Sequence, residues 1–445
     1  METTTTDTSP APRPFFLINR NFSLLWVGQA ISALGDMIYL VTLNLWIATV
    51  IAKNQPWAPA AVSGVMIAMA LPPLTLGPLA GVFVDRWDKR LTMMRMDMIR
   101  AILLLLLIPL TGLIPLPFVT EPLPMFWRIG SIYGVVLAAS ICEQFFTPAR
   151  FTILSEILPE AQRAHASALE QSSSSIVKII GPFVAAPLLF IVGVQWALVV
   201  NALSFVVSFV AIFAVRVEAD RERSEKTQQV NFFRELKEGM VFYRKSRLML
   251  TMLISILIVT LGVGAFDALL VFFFQKNLHA PTSLFGTLPM AVGVGSVLGA
   301  VLSAGLVKRL GSARLLWLNL YIVGFLLILF SRQSTLALAL LLLCLIGFPL
   351  GALNTAMGPL LMHAIPHEIM GRVMSVLATS QTLSNLVSVS LAGFLGTLLV
   401  GLRVDVLGMT FGTYDTIYIG TGLLFLLGAF YAMVNLRDLK LSSKE

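Results

Sequence analysis

Twelve long apolar runs decide what this chain can fold into. They fall at roughly 22–50, 61–84, 92–114, 127–148, 166–191, 195–215, 249–275, 283–307, 315–331, 335–361, 374–400 and 412–436. About 20 helical residues, rising about 1.5 Å each, cross about 30 Å of hydrocarbon, so every run predicts one transmembrane helix. Barrel strands would be about 9–11 residues long and alternate in polarity, which these runs do not. The rest of the chain cannot build a water-soluble surface. Hydrophobic residues make up 57% of it and charged residues 12%, with a mean hydropathy of +0.87, against about 25% charge in soluble domains. The expected fold is all-α and integral to a membrane.

A net charge of +8 would suit a nucleic-acid partner, but the basic residues follow the spans instead. With both termini placed in the cytoplasm, 25 of the 31 lysines and arginines fall on that side, nine of them in Arg216–Arg247. The other side receives only Lys53, Arg128, Lys276, Arg332 and Arg403, while Lys178 lies within a span. Positive charge concentrated on one side sets orientation and predicts a multi-pass cell-membrane protein with cytoplasmic termini. The seven tryptophans fall near span ends, where an amphipathic ring suits the headgroup layer. Cys142 and Cys344 both lie inside predicted spans and suggest no disulfide framework.

The polar stretch Arg216–Arg247 separates six spans from six. The expected organisation is a disordered cytoplasmic tail (1–20), an N-terminal six-helix bundle (21–215), a cytoplasmic linker (216–247), a C-terminal six-helix bundle (248–436) and a second tail (437–445). Within the linker, "FFRELKEGMVFYRKS" places Phe232, Phe233, Leu236 and Met240 at helical spacing opposite charges. That pattern fits a helix lying on the membrane surface, or a plain solvated linker. The halves also share loop patterns. "SEILPEAQRAHAS" after span four and "HAIPHEIMGRVMS" after span ten each run proline, glutamate, arginine, span. Parallel six-helix repeats belong to transporters whose cargo passes between the halves.

Between spans two and three stands "GVFVDRWDKR". It resembles the signature loop of the major facilitator superfamily in Gly81, Asp85, Arg86 and Arg90, with Asp88 where glycine is commoner. "DMIRA" (Asp97–Ala101), "FFTPAR" (Phe145–Arg150), "SSSSIVKIIGPFVAAPL" (Ser172–Leu188) and "PHEIMGRVMS" (Pro366–Ser375) are similar to the branch with macrolide-type efflux pumps and enterobactin-type siderophore exporters. That branch also contains lysophospholipid transporters. The resemblance implies two bundles rocking about a central cavity. It also implies a cytoplasmic gate built from Gly81, Asp85, Arg86, Arg90, Asp97 and Arg100 with Gly371 and Arg372. In that gate Asp85 meets the start of span eleven and latches it when the protein faces outward.

Ionisable groups inside spans are expensive and mark candidate working residues. Asp36 lies near the middle of span one and Asp267 at comparable depth in span seven. Each reads as a proton carrier or as a structural carboxylate bonded to a neighbouring helix. Glu143 falls in span four where the superfamily often has arginine; it reads as a carrier, or as an interfacial group paired with Arg150 or Arg100. Lys178, deep in span five, predicts a carboxylate partner, Asp36 or Glu143 first. Gly181 and Pro182 are expected to bend span five, resembling a reduced antiporter motif, although close packing explains the same residues. Gly295 and Gly299 permit close helix approach.

His363 and His367 stand four apart beside Glu368, but Pro366 interrupts the face and no metal site is expected. No Gly-Lys dipeptide, HExxH or GxSxG string occurs, so neither a phosphate-cradling loop nor a hydrolase centre is expected. The reading that results is a monomeric, non-enzymatic secondary transporter, without cofactor or nucleic-acid partner. Its expected role is export of amphipathic or hydrophobic small molecules against inward proton flow. Two alternatives remain open at this point: a facilitator or symporter for lysolipid or another solute, and a non-transporting sensor or assembly partner.

Overall fold

A computed structural model describes residues 18–110, 124–216, 232–366, 369–406 and 409–436. Residues 1–17 and 437–445 of the expected tails, residues 217–231 of the linker, and His367 with Glu368 lie outside the described residues, as do the side chains of Phe232, Phe233, Leu236, Lys308, Arg309 and His363. The first half comprises α1 (Arg20–Trp46), α2 (Ala58–Thr75), α3 (Gly77–Arg86), α4 (Lys89–Leu110), α5 (Met125–Ile157), α6 (Glu160–Pro187) and α7 (Val194–Ala214). After α8 (Phe232–Lys245), the second half comprises α9 (Arg247–Phe273), α10 (Thr287–Leu310), α11 (Ser312–Ser331), α12 (Leu336–Ala364), α13 (Met370–Leu398) and α14 (Thr413–Leu436). Single π-helical turns extend α1, α6 and α9.

Among the described residues, ten of these helices are long and apolar enough to cross a membrane. The other two predicted spans are α4, which carries Arg95, Asp97 and Arg100, and α13, which carries many serines and threonines with Gln381 and Asn385. Span two differs from expectation in being two helices, α2 and α3, meeting at Leu76. Pro78 accounts for a new start there: it stands in the first turn of α3, and proline has no N–H to offer the carbonyl of Leu74.

Packing repeats between the halves. In the first, α1 packs on α6 and α7, α4 on α5 and α7, and α2 on α5. In the second, α9 packs on α13 and α14, α11 on α12 and α14, and α10 on α12. Shifting each first-half span by six gives the second-half pairing. The halves meet through α2 with α13 and α6 with α10, which the same shift exchanges. A duplicated six-helix unit related by a pseudo-two-fold axis accounts for both sets.

Those meeting points lie at one end. A Cβ on Gly393 of α13 would sit 2.7 Å from Ser63 Cβ of α2, and one on Gly286 would sit 1.9 Å from the Pro182 carbonyl oxygen of α6. At the same end Arg403–Val406 (β1) and Met409–Gly412 (β2) form an antiparallel hairpin. Arg332 holds it by donating to Thr410 O at 2.9 Å and pairing with Asp415 at 3.3 Å, while Asp415 accepts from Gly412 N at 3.0 Å. This hairpin is not among the expected elements, because four-residue strands are too short for a period of two to stand out.

At the opposite, basic end the apolar cores divide. A large cluster with Leu43, Val65 and Leu198 from the first half and Leu269, Phe273 and Phe330 from the second spans both halves. Near the basic end, by contrast, Leu25, Val84, Met93 and Phe146 form a cluster of the first half alone, and Tyr243, Met252, Ile256 and Val373 one of the second. The cleft between the halves therefore opens at the basic end.

The amphipathic helix expected in the linker is present as α8, but it packs against α13. Gly239 allows the approach, since a Cβ there would lie 2.6 Å from Arg372 O. Tyr243 is fully buried, its hydroxyl donating to Val373 O at 3.5 Å; burial pushes its phenol up to about 12 and keeps it neutral. Glu238 of α8 pairs with Arg372 of α13 at 2.7 Å.

The end-to-end difference is testable by cross-linking in a chain whose Cys142 and Cys344 are serine. A Cβ on Gly293 would lie 3.3 Å from Ile179 Cβ, close to the about 3.5–4.5 Å of a disulfide. Ile179→Cys with Gly293→Cys should oxidise readily, whereas Asp85→Cys with Gly371→Cys should stay reduced, as read by loss of maleimide labelling.

Candidate functional site

The loop that opens α4 sets the site's position. Asp88 caps α4, its Oδ1 accepting from Leu91 N at 2.7 Å, which satisfies an otherwise orphaned N–H. Lys89 Nζ donates to Asp85 O at 2.8 Å at the end of α3. Arg90 donates to Ile212 O at 3.1 Å and to Phe213 O, placing positive charge at the carboxyl end of α7. Four of the loop's charged residues are thus tied by the backbone or side-chain contacts that join α3, α4 and α7; Arg86 is exposed.

From that fixed start, Asp97 and Arg100 fall one turn apart on α4 and face inward. Arg100 is 4% exposed and Asp97 fully buried, and they pair at 2.5 Å. The second arm of the guanidinium reaches Glu143 of α5, also at 2.5 Å. Phe146 and Phe205 bracket it, with its central carbon 4.6 Å and 4.4 Å from their ring centroids. Two carboxylates and two ring faces compensate a charge that would otherwise be costly to bury. Glu143 also accepts from Thr147 at 2.9 Å, and its side chain is 46% exposed, so it joins the buried pair to open space. Asp36 of α1 accepts from Asn201 of α7 at 3.1 Å and feels the charges of Arg100, Glu143 and Asp97. Arg100 Nε and Asp97 Oδ2 are buried without a hydrogen-bond partner, leaving the cluster capacity for rearrangement.

The structure thus brings together Asp36, Asp97, Arg100 and Glu143, and it separates Lys178 from them. Lys178 is exposed, and no carboxylate among the described residues lies within ion-pair reach of it; Arg100 holds Glu143 in its place. Of the two arginines considered for Glu143, Arg100 is the partner and Arg150 is not. Asp97 and Arg100, grouped with the gate by resemblance, belong to this interior cluster instead. Asp267 is exposed and makes no hydrogen bond or ion pair; it interacts electrostatically with Tyr418.

The gate residues are apart. Nothing lies within 4 Å of where a Cβ on Gly81 or Gly371 would stand, and Asp85 is exposed. Arg372 is engaged by Glu238. The latch expected between Asp85 and the start of α13 is absent from this conformation because the cleft is open at that end. At Gly181 and Pro182 the helix is not interrupted: α6 continues to Pro187, with Pro182 in its interior. Gly181 provides close packing, since a Cβ there would meet Met37 Cγ at 2.4 Å. Sequence reasoning missed Asn201, although Asn201, Ser204 and Ser208 form a polar stripe on the otherwise apolar α7 that would have marked it. It also missed the two phenylalanines, which nothing distinguishes from ordinary core residues.

Two six-helix halves that meet at one end, with a charged cluster held inside one half, define a membrane transporter. Residues 25–389 match the Major Facilitator Superfamily, and the chain belongs to it. It is similar to the uncharacterized MFS-type transporter YfiS of Bacillus subtilis (strain 168), with 24% identity over 390 residues, covering 86% of this chain and 88% of that one. Macrolide efflux protein A of Streptococcus pyogenes is 26% identical over 226 residues, about half of each chain (51% and 52%). The crystal structure of the nucleoside transporter NupG shares the fold, with a TM-score of 0.70 at 12% identity, over 94% of this chain and 100% of that one. The protein is a transporter and not an enzyme.

Removing Arg100 should expose how much it compensates. Arg100→Ala leaves Asp97 buried without its partner and should cost about 3–5 kcal/mol in unfolding free energy. Adding Asp97→Asn should restore part of the loss, and the two changes should be non-additive in a thermal-unfolding double-mutant cycle.

Proposed function

We propose that this chain is a proton-coupled exporter of amphipathic or hydrophobic small molecules, working as an antiporter with its basic end in the cytoplasm. The observation that carries this reading is that one buried guanidinium pairs with two carboxylates, Asp97 and Glu143, while a third, Asp36, lies within its field without a direct bond to it. Such a cluster is short of positive charge, and a proton is the smallest cation that can supply it. Glu143, partly exposed, is the entry point, and Asp36, held by Asn201, is the second carrier. Protonation of either weakens its hold on the shared positive charge, freeing α1 and α5 to shift against α4. Loss of the proton on the cytoplasmic side restores the pairing.

In this orientation the structure is open to the cytoplasm. Asp85, Arg86 and Arg90 near α3 and Gly371 with Arg372 on α13 are the surfaces that close when the halves rock. Similarity to a macrolide efflux protein supports export. Lys178 and Asp267, both exposed within spans, are candidate contacts for cargo. The working unit is a monomer, because each chain has its own two halves and cleft.

Reconstituted into proteoliposomes, Asp36→Asn and Glu143→Gln should each slow proton-gradient-driven efflux by at least about tenfold, a barrier change of about 1.4 kcal/mol. Undiminished gradient-driven efflux in both variants would overturn the coupling. Wild-type transport that persists after the gradient is collapsed would favour a facilitator. Sidedness is tested separately with single cysteines and an impermeant maleimide. Lys53→Cys should label in intact cells, and Arg244→Cys only after permeabilisation.

A further inference from the structure

At the basic end, a cavity of about 310 Å³ lies between α1, α5 and α6. It contains two charges that the Arg100 cluster does not use. Arg150 of α5 stands in one wall, its Nε buried and without a hydrogen-bond partner, its guanidinium carbon 5.4 Å from the Phe151 ring centroid. Glu170 of α6 stands in another. They do not pair with each other, and neither has an ion-pair partner among the described residues. Arg150 and Glu170 are both half-buried, so each keeps an open face in the cavity on which a ligand of opposite charge can seat.

The remaining walls indicate what that is. The ring nitrogen of Trp26 is taken up by donating to Ser173, another wall residue, at 3.0 Å, which leaves its indole body and the exposed Phe151 as apolar surface. Gln171 adds a polar amide. Helix register relates the cavity walls to the Arg100 cluster. The wall residue Ala33 lies one turn before Asp36 on α1, and on α5 Arg150 lies on the same helix face as Glu143, with Thr147 between them.

We propose that this cavity is a binding site for a compact amphipathic zwitterion, whose anionic group seats on Arg150, whose cationic group faces Glu170, and whose apolar part lies on Trp26 and Phe151. Its volume is at the small end of ligand sites, about 300–1,000 Å³. Arginine matches the planar geometry of a carboxylate or phosphate. The site's role as the loading station for cargo rests on the exporter reading, but binding itself does not.

Direct calorimetry on the full-length protein in detergent, with no proton gradient, separates the two. The probes are leucyl-leucine, its N-acetylated form, its carboxyl-terminal amide, and lysophosphatidylethanolamine as a lipid source of the same head chemistry. Wild type should bind at least one zwitterion, and if leucyl-leucine is bound it should exceed both single-charge forms by about tenfold or more, 1.4 kcal/mol. Arg150→Gln should erase the preference for the free carboxylate over the amide while keeping that for the free amine. Glu170→Gln should do the reverse. Lysophosphatidylethanolamine binding lost in both variants, with no dipeptide binding, would assign the site to lipid heads and support the proposal. If one variant melts early, the wild-type analogue series and the other variant decide. Equal wild-type binding of all probes, no binding of either zwitterion, or preferences untouched by both substitutions would overturn the proposal. Failure of Asp36→Asn to affect coupling would leave this result standing.

Discussion

Burying a guanidinium in the middle of a membrane helix forces the surrounding structure to answer for it. Arg100 cannot lose its charge as a lysine would, so its neighbours must supply anions and polarisable faces. Asp97 from its own helix, Glu143 from α5, and the rings of Phe146 and Phe205 do so. Through these contacts α4, α5 and α7 are held as one body, and Asp36 with Asn201 extends the same electrostatic unit to α1. The second half has the same helix pairings without such a centre; away from its span ends Asp267 is its charged residue among the described spans. A symmetric scaffold therefore carries asymmetric chemistry, with the interior charge cluster placed in the first half.

The two ends of the molecule use different physics. At the hairpin end, small residues bring backbones into contact and a single apolar core crosses both halves. Without a hydrophobic drive between helices in lipid, such close van der Waals packing is what holds spans together. At the basic end charge takes over: Asp88, Lys89 and Arg90 cap helix ends, and Glu238 ties α8 to α13. Polar contacts of this kind exchange with water at modest cost. None of these contacts joins one half to the other, so they leave the basic end free to separate, while the hairpin end stays closed in this conformation.

Much of this was legible from the chain. Span number followed from apolar run length, and the gathering of lysine and arginine at one end from their order along the chain, because both report on the solvent each residue meets rather than on its neighbours. Asp36 and Glu143 were visible as carboxylates in apolar runs for the same reason. Their partners were not. Lys178 looked like the natural counter-charge, yet Arg100, assigned by its motif to the gate, holds Glu143. Helix rotation decides that choice, and a few tens of degrees are invisible in a nearly uniform apolar sequence.

The sequence by itself determined a twelve-span membrane protein of two halves, its family, and which residues are too polar for their depth. Tertiary structure alone decided that α2 and α3 are separate helices, that Gly181 packs against Met37, and that Asp85 and α13 stand apart while Arg150 and Glu170 share a cavity. The reason is one of range. Hydrophobicity and charge act on each residue through its solvent and can be read singly. Pairing, cavities and the open or closed state depend on distances between segments far apart in the chain, and these are set by how the helices pack.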